Sequence, residues 1–206
     1  MIKILGRANS LNVQKTMWCA AELGLDVERQ NIGGAFGGND TADYLAINPN
    51  GKVPVLVDGD FTLWESNAIV RYLSETYGVS PWTPNSVQSR ARAGQWLDWY
   101  TSTLNGPMTV IFWAAVRTAP KHQTQAMFED GLKDGARLWG LLDTHLKDKD
   151  YVLGRNLTLA DVAVGCGVYR WYGMNIERPP LPNLEKWFAR LQDRSTYQQH
   201  VMVPIT

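Results

Sequence analysis

Two regimes of apolar patterning divide this chain. Up to about Tyr77 the apolar residues come as short runs and short helical periods, and from Val87 they follow long helical periods with few strand signals. Ile2 to Leu5 is an apolar run ended by Gly6, long enough for a buried strand. Val13, Met17, Ala20 and Ala21 then recur at a helical period from about Asn12 to Leu23, and Gly24 stands where a C′ glycine stops a helix. Val27 to Ile32 reads as a second strand, GGAFGGND as a flexible rim loop, and Thr41 to Ile47 as a short helix halted by Asn48-Pro49. The stretch from Asn48 to Leu73 predicts a turn, a strand, a tight Asp58-Gly59 hairpin, a second strand and a helix opening at Glu65-Ser66. The expected order is strand, helix, strand, helix, strand, strand, helix, giving a four-stranded mixed sheet with a parallel crossover first and a hairpin later.

GVSPWTPNS, with two prolines, cannot continue a helix and reads as a linker. It separates an α/β domain over residues 1–78 from an all-helical domain over 87–206. A first helical stretch runs through Arg92, Trp96, Trp99 and Leu104 to a break at Gly106-Pro107, and resumes from Met108 to Val116. Others run from about Gln123 to Lys147, from Thr158 through Trp171, and from near Asn183 through Leu191. In Leu157-Thr158-Leu159-Ala160-Asp161, Thr158 and Asp161 have the spacing of a capping box, with Leu157 and Val162 as its hydrophobic staple. Asp161 is therefore expected to be structural rather than catalytic.

Composition narrows the function. A formal net charge of +0 with 19% charged residues provides no basic field for nucleic acid or an anionic membrane. Two distant cysteines, Cys19 and Cys166, argue against a disulfide framework, a zinc site or a dithiol centre and suit a reducing compartment. His122, His145 and His200 lack metal-ligand spacing. The start resembles a strand more than a signal peptide, and no stretch approaches the roughly 18 apolar residues of a membrane span, so a cytoplasmic protein is expected. The nine tryptophans, most of them after residue 80, are expected to fill space between helices.

Candidate chemistry lies in the Asn48–Leu73 stretch. Val53 precedes Pro54, and a cis bond there would turn the Val53 backbone N–H and C=O outward. Ser66 stands as a helix N-cap whose free backbone N–H groups could hold a carboxylate. A backbone strip beside a carboxylate socket suits a small peptide; a hairpin followed by a capped helix with no ligand accounts for the same residues.

The NPNGKVPVL segment, the ESNAIVRYL helix start, the proline-containing linker and the LTLADV cap, in this order, resemble a cytosolic glutathione S-transferase. The resemblance covers nearly the whole chain. It implies a thioredoxin-like N-terminal domain (βαβαββα) followed by an all-helical one, a homodimer, and glutathione as co-substrate. The RANSLNVQK loop is similar to serine-type, bacterial theta- or beta-like members, which puts the catalytic hydroxyl on Ser10, with Arg7 adding charge and Asn9 and Asn12 as rival donors to the sulfur. By position Val53 would pair with the cysteinyl unit beside cis Pro54, and Glu65 and Ser66 would hold the γ-glutamyl end. Lys52 would lie toward the glycyl carboxylate or be a solvated surface lysine. Met108, Phe112, Trp113 and Arg117 would line the pocket for a small hydrophobic electrophile. Two alternatives keep the fold: a glutathione-dependent disulfide or peroxide reductase, and a non-catalytic ligand-binding or interaction module.

Overall fold

The computed structural model describes all 206 residues. Its sheet-bearing half runs β1 (Ile2–Leu5), α1 (Leu11–Glu22), β2 (Val27–Gln30), α2 (Ala42–Ile47), β3 (Val55–Asp58), β4 (Phe61–Trp64) and α3 (Ser66–Tyr77), in the expected order. The strands lie β2-β1-β3-β4. β1 pairs parallel with β2, with Ile2 opposite Val27, and antiparallel with β3, with Ile4 opposite Leu56. The Asp58-Gly59 turn closes the β3–β4 hairpin, and Gly59 there takes a φ of 60° that a Cβ would oppose. The GGAFGGND loop holds a single helical turn at Gly34–Phe36, closed by a Gly33 N–H to Gly37 carbonyl bond of 2.7 Å.

The second half is helical: α4 (Val87–Trp99), α5 (Asn105–Ala115), α6 (Gln125–His145), α7 (Ala160–Gly173), α8 (Pro182–Gln192) and a short α9 (Ser195–His200) that the periodicity did not signal. The helical break differs from expectation. Gly106-Pro107 lies within the first turn of α5, where a missing N–H is tolerated. The irregularity comes earlier, as a π-helical segment at Tyr100–Leu104 that joins α4 to α5.

The capping of α7 also differs from the expected box. The helix opens at Ala160, two residues later than expected, and the Thr158 hydroxyl accepts from the Ala160 N–H rather than from Asp161. The reciprocal half forms: the Asp161 carboxylate accepts from the Thr158 N–H at 3.0 Å. It also accepts from the Val152 N–H and from Trp187 Nε1, so this fully buried group ties α7 to the preceding turn and to α8. Asp143 of α6 caps α8 across the bundle, accepting from the Asn183 and Leu184 N–H groups at 2.7 and 2.9 Å.

α1 joins the two halves. It packs on α3 on one side and on α7 and α9 on the other. Trp18 is fully buried against Gly165, where an added Cβ would sit 2.6 Å from the indole, and its ring meets Tyr197 edge-on at 4.8 Å. Its indole N–H donates to Glu22, which also accepts from Arg194 and Thr196 of the C-terminal helices. Three more tryptophans, Trp139, Trp171 and Trp187, are fully buried between helices.

Candidate functional site

Two adjoining clefts open at the N-terminal end of α1. The first, about 430 Å³, is polar and is lined by Gly33, Lys52, Val53, Pro54, Glu65 and Ser66 among others. The second, about 330 Å³, is lined by Leu11, Tyr100, Met108, Phe112, Trp113, Arg117 and Arg170. Arg7, Ser10 and Asn12 line both.

Ser10 is the N-cap of α1, but its hydroxyl makes no capping bond; its carbonyl instead accepts from the Gln14 N–H. A nearly buried hydroxyl is thus left uncommitted at the positive end of a helix. The Asn12 carboxamide oxygen accepts from the Ser66 hydroxyl at 3.2 Å, linking the starts of α1 and α3. Asn9 turns the other way: its amide donates to the Thr206 hydroxyl and it lines neither cleft. The Arg7 side chain packs under Gly33 and Gly34, whose positive φ angles let the loop cover it; a Cβ on Gly34 would sit 3.0 Å from the Arg7 chain. The glycine loop is therefore a wall of the first cleft as well as its rim. Burial and the neighbouring Arg117 lower the Arg7 pKa from its ordinary value.

The Val53–Pro54 bond is cis, as is Ser80–Pro81 in the linker. Val53 lies outside the strand ladder, and its backbone N–H and C=O have no partner within the chain. The preceding carbonyl is anchored: Lys52 O accepts from the Tyr44 hydroxyl at 2.6 Å and the Asn48 amide at 2.7 Å. The Asn39 amide fixes the Gly51 carbonyl at 2.8 Å. Tyr44 and Asn39 carry no sequence signal for this role, and Asn48, which opens the NPNGKVPVL segment, signals only a helix stop, because nothing local marks them as partners of the Gly51 and Lys52 carbonyls. The Lys52 side chain is exposed at the cleft wall.

Ser66 is not the N-cap but the first residue of α3; Glu65 holds the cap position with a φ of 73°. Left-handed φ in a residue with a Cβ costs about 1–3 kcal/mol and persists where surrounding structure enforces it. The shift leaves the Ser66 N–H pointing out of the helix start, since the first backbone bond of α3 runs from the Ile69 N–H to the Glu65 carbonyl. Behind it, Lys15 is buried without a carboxylate partner, 5.0 Å over the Tyr100 ring and 3.4 Å from the Asn67 carboxamide, and burial pushes its pKa down to about 8.

In the second cleft Arg170, unmarked in the sequence, joins Arg117. The Arg170 guanidinium lies 4.5 Å over the Phe112 ring, and Arg117 lies 5.0 and 5.2 Å over Phe112 and Trp113. Arg170 sits in the last turn of α7, where its helical phase gave no sign that it would reach α5. Cys19 and Cys166 are buried away from both clefts, and burial raises both thiols.

A family model described as the glutathione S-transferase N-terminal domain matches residues 2–75, and one for the C-terminal domain matches 105–194. Glutathione S-transferase GstB of Escherichia coli K12 is 38% identical over the full length of both chains. Glutathione S-transferase D7 of Drosophila melanogaster is 34% identical over 82% of this chain and 74% of its own. A theta class glutathione S-transferase from Xanthomonas axonopodis pv. citri, solved with glutathione bound, superposes with a TM-score of 0.93 at 44% identity, covering 100% of this chain and 99% of that one. With both domain models matched in order and full-length relatives at this identity, the chain belongs to the glutathione S-transferase family.

Proposed function

We propose that this transferase holds glutathione in the polar cleft and passes its thiolate to a small electrophile with an apolar body in the second cleft. The observation that carries this reading is the shared strip: the free Ser10 hydroxyl, with Arg7 and Asn12, lines both clefts at once. Ser10 donates to the sulfur, while Arg7 and the start of α1 supply positive potential that favours thiolate over thiol, whose unperturbed pKa is about 8.5. The unpaired Val53 backbone takes the cysteinyl unit, Glu65 the γ-glutamyl ammonium, Ser66 with its N–H the adjoining carboxylate, and Lys52 the glycyl carboxylate. Met108, Phe112 and Trp113 give the apolar wall for the acceptor.

The test is glutathione turnover against aryl halides and enones, with thiol ionisation followed by absorbance. Ser10→Ala is expected to lower kcat/KM by about 100-fold, near the lower range of general transition-state contributions, and to raise the pKa of bound thiol. Full activity in that variant removes Ser10 from the chemistry. A peroxide or mixed-disulfide assay run alongside separates transfer from reduction, and calorimetry with glutathione separates both from a non-catalytic module. We further propose a cytoplasmic homodimer, for which cell fractionation and light scattering are the measurements. No helix is long and apolar enough to cross a membrane.

A further inference from the structure

We propose that the electrophile carries an anionic group, a carboxylate or sulfonate, held by the guanidiniums of Arg7, Arg117 and Arg170 that line the second cleft. The inference rests on the transferase reading and narrows its acceptor class.

The cleft bears three arginines and no acidic side chain. None of the three takes part in an ion pair with Asp or Glu, and of the three only Arg117 meets the oxygen of the last residue, Thr206. Three cations around one partly buried space repel one another, and Arg7 and Arg170 are both pushed down from the ordinary value, chiefly by burial and then by neighbouring guanidiniums. A general apolar pocket has no use for such a cost; an anion offsets it.

The guanidiniums are also held ready. Phe112 and Trp113 carry Arg117 on their faces, and Phe112 carries Arg170, which fixes planar groups that would otherwise lose rotamer freedom on binding. Arg117 donates once to the main-chain oxygen of Thr206, the last residue of the sequence, at 2.8 Å, and Arg170 once to the Asn9 carbonyl at 3.0 Å. With five N–H donors each, both keep enough for a bidentate bond to an oxyanion. Service to the glutathione sulfur alone does not explain the cluster, because Arg117 and Arg170 line only the second cleft, whereas Arg7 lines both.

The test pairs 4-chloro-3,5-dinitrobenzoate with its carboxamide. In each case the thiolate sulfur forms a bond to the chlorine-bearing carbon, chloride leaves with the bonding pair, and the thiol proton passes to solvent; nothing is oxidised. The carboxamide withdraws electrons more strongly, so the uncatalysed reaction favours it. The enzyme is expected to reverse that order, with kcat/KM at least tenfold higher for the acid. In Arg117→Met, whose side chain can still pack on the rings, the acid-to-amide ratio is expected to fall about tenfold, and Arg117→Lys to lie between. Calorimetry of the two finished conjugates reads the same preference without turnover: tighter binding of the acid conjugate in the wild type and near-equal binding in Arg117→Met. An amide preference in the wild type, or conjugates bound equally, overturns the anionic class. Discrimination between conjugates with no turnover of either electrophile upholds the anion site and overturns the transferase reading.

Discussion

Replacing Asp161 by asparagine keeps the shape of the side chain and removes half of its accepting capacity. Oδ1 accepts from the Val152 N–H and Trp187 Nε1, both at 2.9 Å, and Oδ2 from the Thr158 N–H at 3.0 Å and its hydroxyl at 3.4 Å. Whichever way the amide is turned, its NH₂ faces donors. The cheaper orientation strands the Thr158 N–H, because the hydroxyl beside it can rotate. One stranded buried donor costs about 1–3 kcal/mol, and the two remaining bonds lose their charge assistance, so the total is about 2–4 kcal/mol. With a urea slope of about 3 kcal/mol/M for a chain of this size, the unfolding midpoint near neutral pH should drop by about 1 M with the slope unchanged. Burial also pushes the wild-type carboxyl up to about 6 from 3.8. The folded chain then keeps a proton that the unfolded chain has lost, so this group's contribution to stability falls as pH rises from about 4 to about 6 and is level above. Asp161→Asn should lack that component of the slope. A midpoint shift below about 0.2 M, together with an unaltered pH profile, would refute the assigned hydrogen-bond role.

The remaining predictions concern the clefts. Glu65→Gln should raise the KM for glutathione about tenfold, as expected for loss of a charged hydrogen bond, with a smaller effect on kcat; an unchanged KM in steady-state kinetics would take Glu65 out of the site. Gly167→Ala would set a Cβ 2.2 Å from a ring carbon of the buried Tyr100, which lines the second cleft. Overpacking of this kind costs about 2 kcal/mol, equivalent to a Tm lower by about 6 °C, and the KM for the electrophile should rise more than that for glutathione. Calorimetric unfolding and paired KM measurements check both; a variant with unchanged Tm would show that Tyr100 moves freely.

The order of strands and helices was legible because it depends on local signals: apolar period, the Asp58-Gly59 turn, and the prolines after Tyr77. Val53-Pro54 and Ser66 were legible from the residues as a possible peptide strip and carboxylate socket, whereas Ser10 was joined to them only through family resemblance, since taken alone it is an ordinary cap. Contacts made across the fold were not legible. The π-helical turn falls at Tyr100–Leu104, ahead of the Gly106-Pro107 break that the sequence predicts, Asp143 caps a helix 40 residues away in sequence, and Arg170 reaches the second cleft from the far end of α7. The cap of α3 lies at Glu65, one residue before the Ser66 that the sequence predicts, because its left-handed φ is imposed by surroundings that no propensity rule contains.

The strip of Arg7, Ser10 and Asn12 has a consequence for how this protein can change. With glutathione in the first cleft and the acceptor in the second, as proposed, a substitution there touches both seats together, so a gain toward one substrate is coupled to a change toward the other. Met108, Phe112 and Trp113 touch the acceptor's cleft alone. Drift in acceptor range therefore has an unencumbered route through α5, while the loop before α1 is bound to two constraints at once.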